Sequence, residues 1–156
     1  MSIDMRIEEQ IGANIKDAMR SRDKVKLAAL RDVKSKFMLE QSAPGGVGIG
    51  VEITNETALR IIAKLLKQRE ETVAICRTQG RDDLAEEEQA QADVLRAYLP
   101  EPLGEDDIRK VVQEIIDQTG ASSMADMGRV MGMASAKLTG QADGGTISKM
   151  VRSILG

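Results

Sequence analysis

The sequence predicts an all-α protein in two parts, and three observations lead to that prediction. Apolar residues recur every third or fourth position along most of the chain, as they do on one face of a helix. Phe37 and Tyr98 are the only aromatic residues, so aliphatic side chains and methionine must fill the core. The segment "LPEPLG" has two prolines and a glycine within six residues, and it divides four predicted helices from three.

The first two helices are predicted over residues 3–20 and 24–41. Ser2 is placed to cap the first helix and Asp23 to cap the second. The inner face of the first helix is predicted to carry Ile3, Ile7, Ile11, Ile15 and Met19, and that of the second Leu27, Leu30, Val33 or Lys34, and Phe37.

The segment 43–53 has four glycines and one proline, so it cannot continue the second helix. Its apolar residues Val47, Ile49, Val51 and Ile53 alternate as they would in a short strand. A single strand would have no partner in this chain, and we therefore predict a flexible loop.

The third and fourth helices are predicted over residues 55–79 and from Asp82 or Asp83 to Leu99. Thr54 or Asn55 caps the third helix, and Gly80 is placed to end it. The inner faces are predicted to carry Leu59, Ile62, Leu66, Arg69 and Val73 on the third helix and Leu84, Ala92, Leu95 and Tyr98 on the fourth.

Three shorter helices are predicted after the proline-rich segment. The first covers residues 105–118 and ends at Gly120, and the second runs from a cap at Ser122 or Ser123 to Leu138. The third runs from a cap at Asp143 or Thr146 to Leu155. The predicted organisation is a four-helix domain over residues 1–99 and a three-helix domain over residues 100–156.

The chain has no histidine and one cysteine, which excludes several kinds of chemistry. Ser-His-Asp and Cys-His catalysis and histidine-ligated metals all require histidine. Cys76 lies in an apolar segment and is predicted to be a small core residue or an ordinary thiol. A single cysteine cannot form a disulfide within the chain, which fits a reducing compartment.

The start of the sequence, "MSIDMRIEEQIG", carries acidic residues and has no apolar stretch. No apolar run in the chain reaches the roughly 18 residues that a membrane-spanning helix needs. We therefore expect neither a secretory signal nor a membrane partner, and we predict a cytoplasmic protein.

Acidic residues lie one helical turn apart in "DDLAEEE", where Asp83 pairs with Glu87 and Asp82 with Glu86. Such pairs could bind a divalent ion, but acids at the start of a helix are also favoured by the helix dipole. Calcium-loop, phosphate-loop and nucleophile-elbow motifs are all missing from the sequence. We therefore predict no metal and no cofactor.

A basic run between Lys16 and Lys36 has eight Lys or Arg against three Asp. Its densest part lies at the turn between the first two helices, where several side chains could reach phosphates together. The alternative interpretation is a solvated helical hairpin. The candidate RNA-binding residues at this turn are Arg20, Arg22, Lys24 and Lys26.

The segment "MGRVMGMASAKLTGQADGGTISKMVR", residues 127–152, has two unusual features. Its methionines, with Met124, are predicted to fill the core, or alternatively to form a groove for a partner helix. Gly128 and Gly132 lie one turn apart, and glycines inside a helix usually let another backbone come close.

The loop "QADGG" in the same segment leads into the start of the last helix. Backbone N–H groups at Gly144, Gly145 and Thr146 would point outward there and favour a phosphate. The basic residues that surround this position in the sequence are Arg129, Lys137, Lys149 and Arg152.

These residues resemble the YqeY family, and the resemblance covers essentially the whole chain. It includes "LAALRDVKSK", "LLKQREETVAI" and "GRDDLAEEE" in the first part, and "LRAYLPEPLGEDDIRKVV" with the glycine-rich segment in the second. The most specific elements are the Leu99–Pro100 junction, Gly128 with Met131, and the run from Gly140 to Gly144 followed by Ser148, Val151 and Leu155.

The resemblance implies an all-helical, two-domain protein whose C-terminal part is similar to the tail of GatB. GatB is a subunit of the glutamine-dependent tRNA amidotransferase, and its tail contacts tRNA. The resemblance does not imply the amidotransferase reaction, because the ammonia-generating and kinase-like machinery lies in other parts of that enzyme. This chain has Gln141 where the family usually has Lys or Arg, which removes one phosphate contact.

Three functional hypotheses follow. The first is a non-catalytic module that binds tRNA or associates with the tRNA amidotransferase. The second is an adaptor whose Met-rich helix receives a helix of a partner protein. The third is a family-level activity, carbon–nitrogen ligation with glutamine as the amido donor, or hydrolysis by the carboxylates of Asp83 or Glu87.

Overall fold

The computed structural model describes residues 5–156 and is all-helical, as predicted. These residues form two compact units, with the division between Leu99 and Pro100. The first unit contains α1 (Ile7–Ser21), α2 (Lys24–Ser42), α3 (Asn55–Thr78) and α4 (Asp82–Arg96). The second contains α5 (Glu105–Thr119), a short 3₁₀ turn (Met124–Asp126), α6 (Met127–Lys137) and α7 (Gly144–Leu155).

The core of the first unit lies between its four helices and is built from the apolar stripes that the sequence predicts. Aliphatic side chains from every helix enter it, and Phe37 is its aromatic member. The largest fully buried side chains are Ile11, Leu30, Val33, Ile53, Ile62 and Leu95. Burial of side chains of this size contributes about 1.5–3 kcal/mol each, so these stripes are the main source of stability.

Two short polar side chains start helices of this unit, as predicted. A carboxylate oxygen of Asp23 accepts a hydrogen bond from the Lys26 backbone N–H at 3.0 Å. The Thr54 hydroxyl accepts one from the Thr57 backbone N–H at 3.2 Å. Each satisfies a donor that has no partner within its own helix.

The first helix differs from its prediction at its start and at one of its inner residues. It begins at Ile7, and Arg6 precedes it without a side-chain cap. The predicted cap Ser2 and the predicted inner residue Ile3 lie outside the described residues. Met19 is 54% exposed, because each four-residue step turns a side chain about 40° around the helix, and Ala18 takes the inner position.

The fourth helix is shorter than predicted. It ends at Arg96, and the backbone N–H groups of Tyr98 and Leu99 bond three residues back in a tighter turn. Pro100 follows, and the residue before a proline is disfavoured in a helix. Leu84, which the pattern predicts to face inward, is 38% exposed, and Ala85 beside it is buried instead.

The loop 43–53 contains no helix or strand, and its second half makes specific contacts with the helices around it. Gln41 donates a side-chain hydrogen bond to the Val51 carbonyl at 2.7 Å. The Ile53 N–H donates to a Glu8 carboxylate oxygen at 3.2 Å, and the Ile53 side chain is fully buried. Its glycine content suggested a loop, but the sequence did not show that Ile53 belongs to the core.

The second unit has a core of its own between α5, α6 and α7. Gly120 ends α5 in the left-handed conformation, with φ at 69°. The predicted sixth helix divides in two: Ser123 caps the 3₁₀ turn, and α6 begins only at Met127. The core consists mainly of Ile108, Val112, Ile115, Ile116, Val130, Ala134, Leu138, Ile147, Met150 and Val151.

Candidate nucleic-acid interface

The start of α7 already carries a negative charge. Asp143 precedes the helix, and its Oδ1 atom accepts a hydrogen bond from the Thr146 N–H at 2.8 Å. A Cβ atom added at Gly145 would lie 3.2 Å from the same oxygen. A phosphate at this helix end would therefore meet a carboxylate, and the Thr146 amide is occupied within the chain.

Lys149 and Arg152 are the two basic residues of α7, and both are exposed. They are three positions apart, so they lie on one face of the helix, which Gly145 continues toward the N-terminus. Neither side chain forms an ion pair with any residue between 5 and 156. Their charges are thus available to an external anion.

The other two basic residues predicted for this region have partners within the chain. A guanidinium nitrogen of Arg129 lies 3.4 Å from an Asp126 carboxylate oxygen and donates to the Thr119 carbonyl at 3.2 Å. The Lys137 ammonium lies 3.7 Å from a Glu114 carboxylate oxygen. Both basic side chains are about half-exposed, and exposed ion pairs are weak enough to exchange for a phosphate.

Asp126 holds the turn before α6 in place. The Ser122 backbone N–H donates to its carboxylate at 3.1 Å. This bond, the Ser123 N–H and the nearby charge of Arg129 together lower the pKa of Asp126. The carboxylate is consequently ionised at neutral pH, and it offsets part of the positive charge of Arg129.

The methionines of this region are divided between core and surface, so the prediction that they all fill the core is only partly right. Met127 and Met131 are half-buried against the core. Met124 and Met133 are 45% and 41% exposed. Only one face of a helix packs against the core, so methionines on its other faces remain exposed to solvent.

Gly128 and Gly132 do not serve to bring two backbones of this unit together. Both are exposed, and apart from the neighbouring residues and the adjacent backbone of α6, no described atom lies within 4 Å of a Cβ added at either position. The expectation of a close approach is therefore wrong within the described chain. The two glycines instead leave a flat strip on the outer face of α6.

The basic turn of the first unit is also exposed. Arg22 ends α1 in the left-handed conformation, with φ at 58°, and Lys24 begins α2. Arg20 lies 3.4 Å from Asp17 and is 78% exposed. Lys26 is only half-exposed and borders a groove with Asn14 and Tyr98.

One member of the predicted carboxylate pairs of α4, Asp83, has a partner within the chain. Asp83 is bound by the Arg81 guanidinium at 3.0 and 3.1 Å, and this hydrogen bonding lowers the pKa of the Asp83 carboxyl. No cluster of three or more acidic or thiol side chains in this part of the chain could hold a metal ion.

Sequence reasoning overlooked the conflict between Asp143 and a bound phosphate, although it had identified Asp143 as a cap. A capping carboxylate occupies the amides that a phosphate would use, so the cap itself was the available signal. The pairing of Lys137 has no signal in the sequence, because its partner Glu114 belongs to another helix, whereas Asp126 three positions before Arg129 was an available signal.

The fold and this surface define a class of protein: an all-helical protein of two compact units with two exposed basic residues on its last helix. The profile of the Yqey-like protein family matches residues 8–155. The chain belongs to this family.

Two relatives extend the comparison. The chain is 30% identical over 153 residues to the altered inheritance of mitochondria protein 41, mitochondrial, of Pyrenophora tritici-repentis, an alignment that covers 94% of this chain and 80% of that protein. It is 39% identical over 54 residues to one of the subunits of the glutamyl-tRNA(Gln) amidotransferase of Thermococcus gammatolerans. That second match covers 32% of this chain and 9% of the archaeal protein.

None of the helices within residues 5–156 is both long and apolar enough to cross a membrane.

Proposed function

We propose that this protein is a binding module for tRNA, acting alone or with a tRNA amidotransferase. Support comes from the family and from the 54-residue similarity to a protein named for glutamyl-tRNA(Gln) amidotransferase. The chain has no histidine, and Asp83, a candidate for the third hypothesis, is paired with Arg81. A protein that only binds tRNA requires no catalytic residue.

The observation that carries the proposal is the free pair of cations on α7. Lys149 and Arg152 share an exposed face and have no ion pair within residues 5–156, so binding a phosphate would break no ion pair there. Arg129 and Lys137 can add two more contacts if the phosphate replaces Asp126 and Glu114. RNA backbones are recognised by such charges largely without regard to sequence.

The acidic character of the unit limits how RNA can bind. Residues 100–156 contain six Lys or Arg and eight Asp or Glu, so the unit as a whole does not attract RNA. Three of the acids open α5, as Glu105, Asp106 and Asp107. Binding must therefore rest on the local face of α7, and it must be strongly weakened by salt.

The test is a titration of total tRNA with the full chain at several salt concentrations, in which fluorescence anisotropy measures binding. We expect the double variant K149E/R152E to bind at least roughly tenfold more weakly and to show a salt slope smaller by about 1.5 units. The matched control is R109E/K110E, which makes the same charge change at two exposed residues of α5.

Two results would contradict the proposal. One is a wild-type protein that does not bind tRNA even at low salt. The other is equal weakening by K149E/R152E and R109E/K110E, because this would show a general effect of net charge rather than a site on α7. The basic turn of the first unit is tested in the same way with R20E/R22E, where Lys24 and Lys26 are left unchanged.

A second candidate function is that of a protein adaptor, and the exposed methionines favour it. Met124 and Met133 are large, flexible apolar side chains in solvent, and Gly128 and Gly132 leave room for a partner helix beside Met133. Capture of a protein by the wild-type chain, loss of it with M124S/M133S and retention with I75S would support this function. Ile75 is 57% exposed in the first unit and is a matched surface control.

A further inference from the structure

The loop between α2 and α3 holds an apolar side chain out into solvent. The Val51 N–H donates to the Gly48 carbonyl at 3.2 Å and closes a tight turn around Ile49 and Gly50. Gly48 and Gly50 have φ angles of 108° and 81°, which other residues rarely adopt. Ile49 between them is 86% exposed, the highest value among the exposed large apolar side chains of the described residues.

A small apolar cavity lies between α1 and α2 near this loop. It is lined by Ile11, Gly12, Phe37 and Met38 together with the polar residues Glu8, Lys34 and Gln41. Its volume is about 130 Å³. Cavities of roughly 150 Å³ hold one benzene molecule, whereas sites for drug-sized ligands start at about 300 Å³. The cavity therefore suits one apolar side chain and is too small for a cofactor.

The base of the loop is attached to residues that line the cavity. Gln41 holds the Val51 carbonyl at 2.7 Å, and Glu8 holds the Ile53 N–H at 3.2 Å. The loop that carries Ile49 and the cavity therefore lie side by side in the first unit. A twofold symmetric dimer needs this arrangement, because the same surface of each copy must supply both the inserted group and the recess.

Lys34 in the cavity lining and Glu52 in the loop carry opposite charges, and the Glu8 carboxylate of the lining is already bound by Arg6 at 3.1 Å. Lys34 at the edge of the cavity is exposed and forms no ion pair within the described chain. Glu52 in the loop is 75% exposed and is bound on one side by Arg6 at 3.3 Å. In a symmetric pair, Glu52 of each copy would approach Lys34 of the other as Ile49 enters the cavity. This complementarity favours a second copy over an unrelated partner.

We propose that the chain forms a symmetric dimer in which Ile49 of each copy inserts into the cavity lined by Ile11, Phe37 and Met38 of the other. This surface lies in the first unit and is independent of the proposed tRNA face on α7. Each dimer removes two Ile49 side chains from water. Met38 would be covered at the same time, which accounts for a second apolar side chain that is 58% exposed.

The first test is sedimentation analysis of the full chain over a range of concentrations. We expect a monomer–dimer equilibrium in the wild type and roughly 100-fold weaker dimerisation in I49S, since two buried isoleucines are lost. I75S is the matched control and should dimerise like the wild type. A wild-type monomer at all concentrations, or equal effects of I49S and I75S, would overturn the proposal.

The second test uses engineered cysteines and shows which surfaces meet. Cys76→Ser removes the only cysteine of the chain. In this background, one copy carries I49C and a differently tagged copy carries M38C. We expect mild oxidation of the mixture to produce the mixed disulfide in preference to either self-pair. If the self-pairs dominate or no disulfide forms, the inserted group and the recess do not meet and the proposal is wrong.

Discussion

The Arg69 guanidinium of α3 binds a carboxylate oxygen of Asp32 on α2 at 2.9 Å, with its side chain only 15% exposed. Its other terminal nitrogen binds Glu88 of α4 at 3.1 Å. One side chain therefore connects three helices of the first unit. Its Nε atom is buried without a hydrogen-bond partner, so the two terminal nitrogens carry the entire interaction.

Removing this connection should destabilise the first unit. We predict that Arg69→Ala lowers the free energy of unfolding by about 1–3 kcal/mol, because two partly buried carboxylates lose their cation. Arg69→Lys should recover only part of the loss, since an ammonium group cannot bind two carboxylates in the same fork geometry. Urea unfolding followed by circular dichroism measures both. The control is Arg60→Ala, whose 61% exposed side chain pairs only with Glu40, and an equal loss there would refute this role of Arg69.

The single tyrosine gives the first unit a pH dependence at alkaline pH. The Tyr98 hydroxyl accepts a hydrogen bond from the Asn14 amide at 2.6 Å. Burial raises the pKa of Tyr98, and the bond from Asn14 opposes this only in part. In the unfolded chain the Tyr98 hydroxyl ionises at about pH 10. The contribution of neutral Tyr98 to the free energy of unfolding is therefore complete below that pH, and it is lost as the pH rises through the pKa of the folded state.

We therefore predict that the wild type loses stability above about pH 10 more steeply than Tyr98→Phe. The measurement is urea unfolding of both proteins at a series of alkaline pH values. Absorbance of tyrosinate reports the pKa directly, because no other tyrosine is present. Parallel pH profiles for the two proteins would show that Tyr98 is not the group responsible.

The two exposed glycines of α6 weaken their own helix. We predict that Gly128→Ala and Gly132→Ala each raise the free energy of unfolding by about 0.5–1 kcal/mol, because alanine restricts the unfolded chain and meets no atom within 4 Å. Thermal unfolding shows whether each substitution stabilises or destabilises the protein. Gly120→Ala is the contrasting variant and should destabilise, since Gly120 has φ at 69°. If all three substitutions destabilise the protein, the surface at Gly128 and Gly132 has no room for an added methyl group.

Two variants of Asp143 distinguish its role as a helix cap from its effect on phosphate binding. We predict that Asp143→Ala costs about 1 kcal/mol of stability through loss of the cap, whereas Asp143→Asn keeps the cap. Asp143→Asn should also bind tRNA roughly two- to fivefold more tightly, since it removes a negative charge from the start of α7. Anisotropy titrations at low salt measure this change. Weaker tRNA binding by Asp143→Asn would place the RNA away from this helix end.

The two units also lead to a prediction about folding. We propose that they are independent domains, so residues 100–156 expressed alone should be helical and should unfold cooperatively on heating. A segment of this size buries only about 60% of its unfolded surface, and its stability should be low. Circular dichroism with heating tests this, with residues 5–99 as the companion fragment. Absence of a cooperative transition in the shorter fragment would contradict the assignment.

Much of the fold follows from local sequence patterns. Helix positions were predicted within a few residues because apolar spacing and caps such as Asp23, Thr54 and Asp143 act over one or two turns. The errors fall where local signals are weak. Met19 and Leu84 have the right spacing but lie at the edge of the apolar face, and small changes of helix rotation decide their burial.

The all-helical class and most helix positions could be predicted from the chain alone, because they depend on neighbouring residues and on composition. The folded arrangement was needed to show that Lys137 is paired with Glu114 while Lys149 and Arg152 have no ion pair within residues 5–156, and that Ile49 is exposed while Ile53 is buried. These outcomes depend on which side chains from distant positions come within a few ångströms of each other. The spacing of residues along one chain carries no information about such distances.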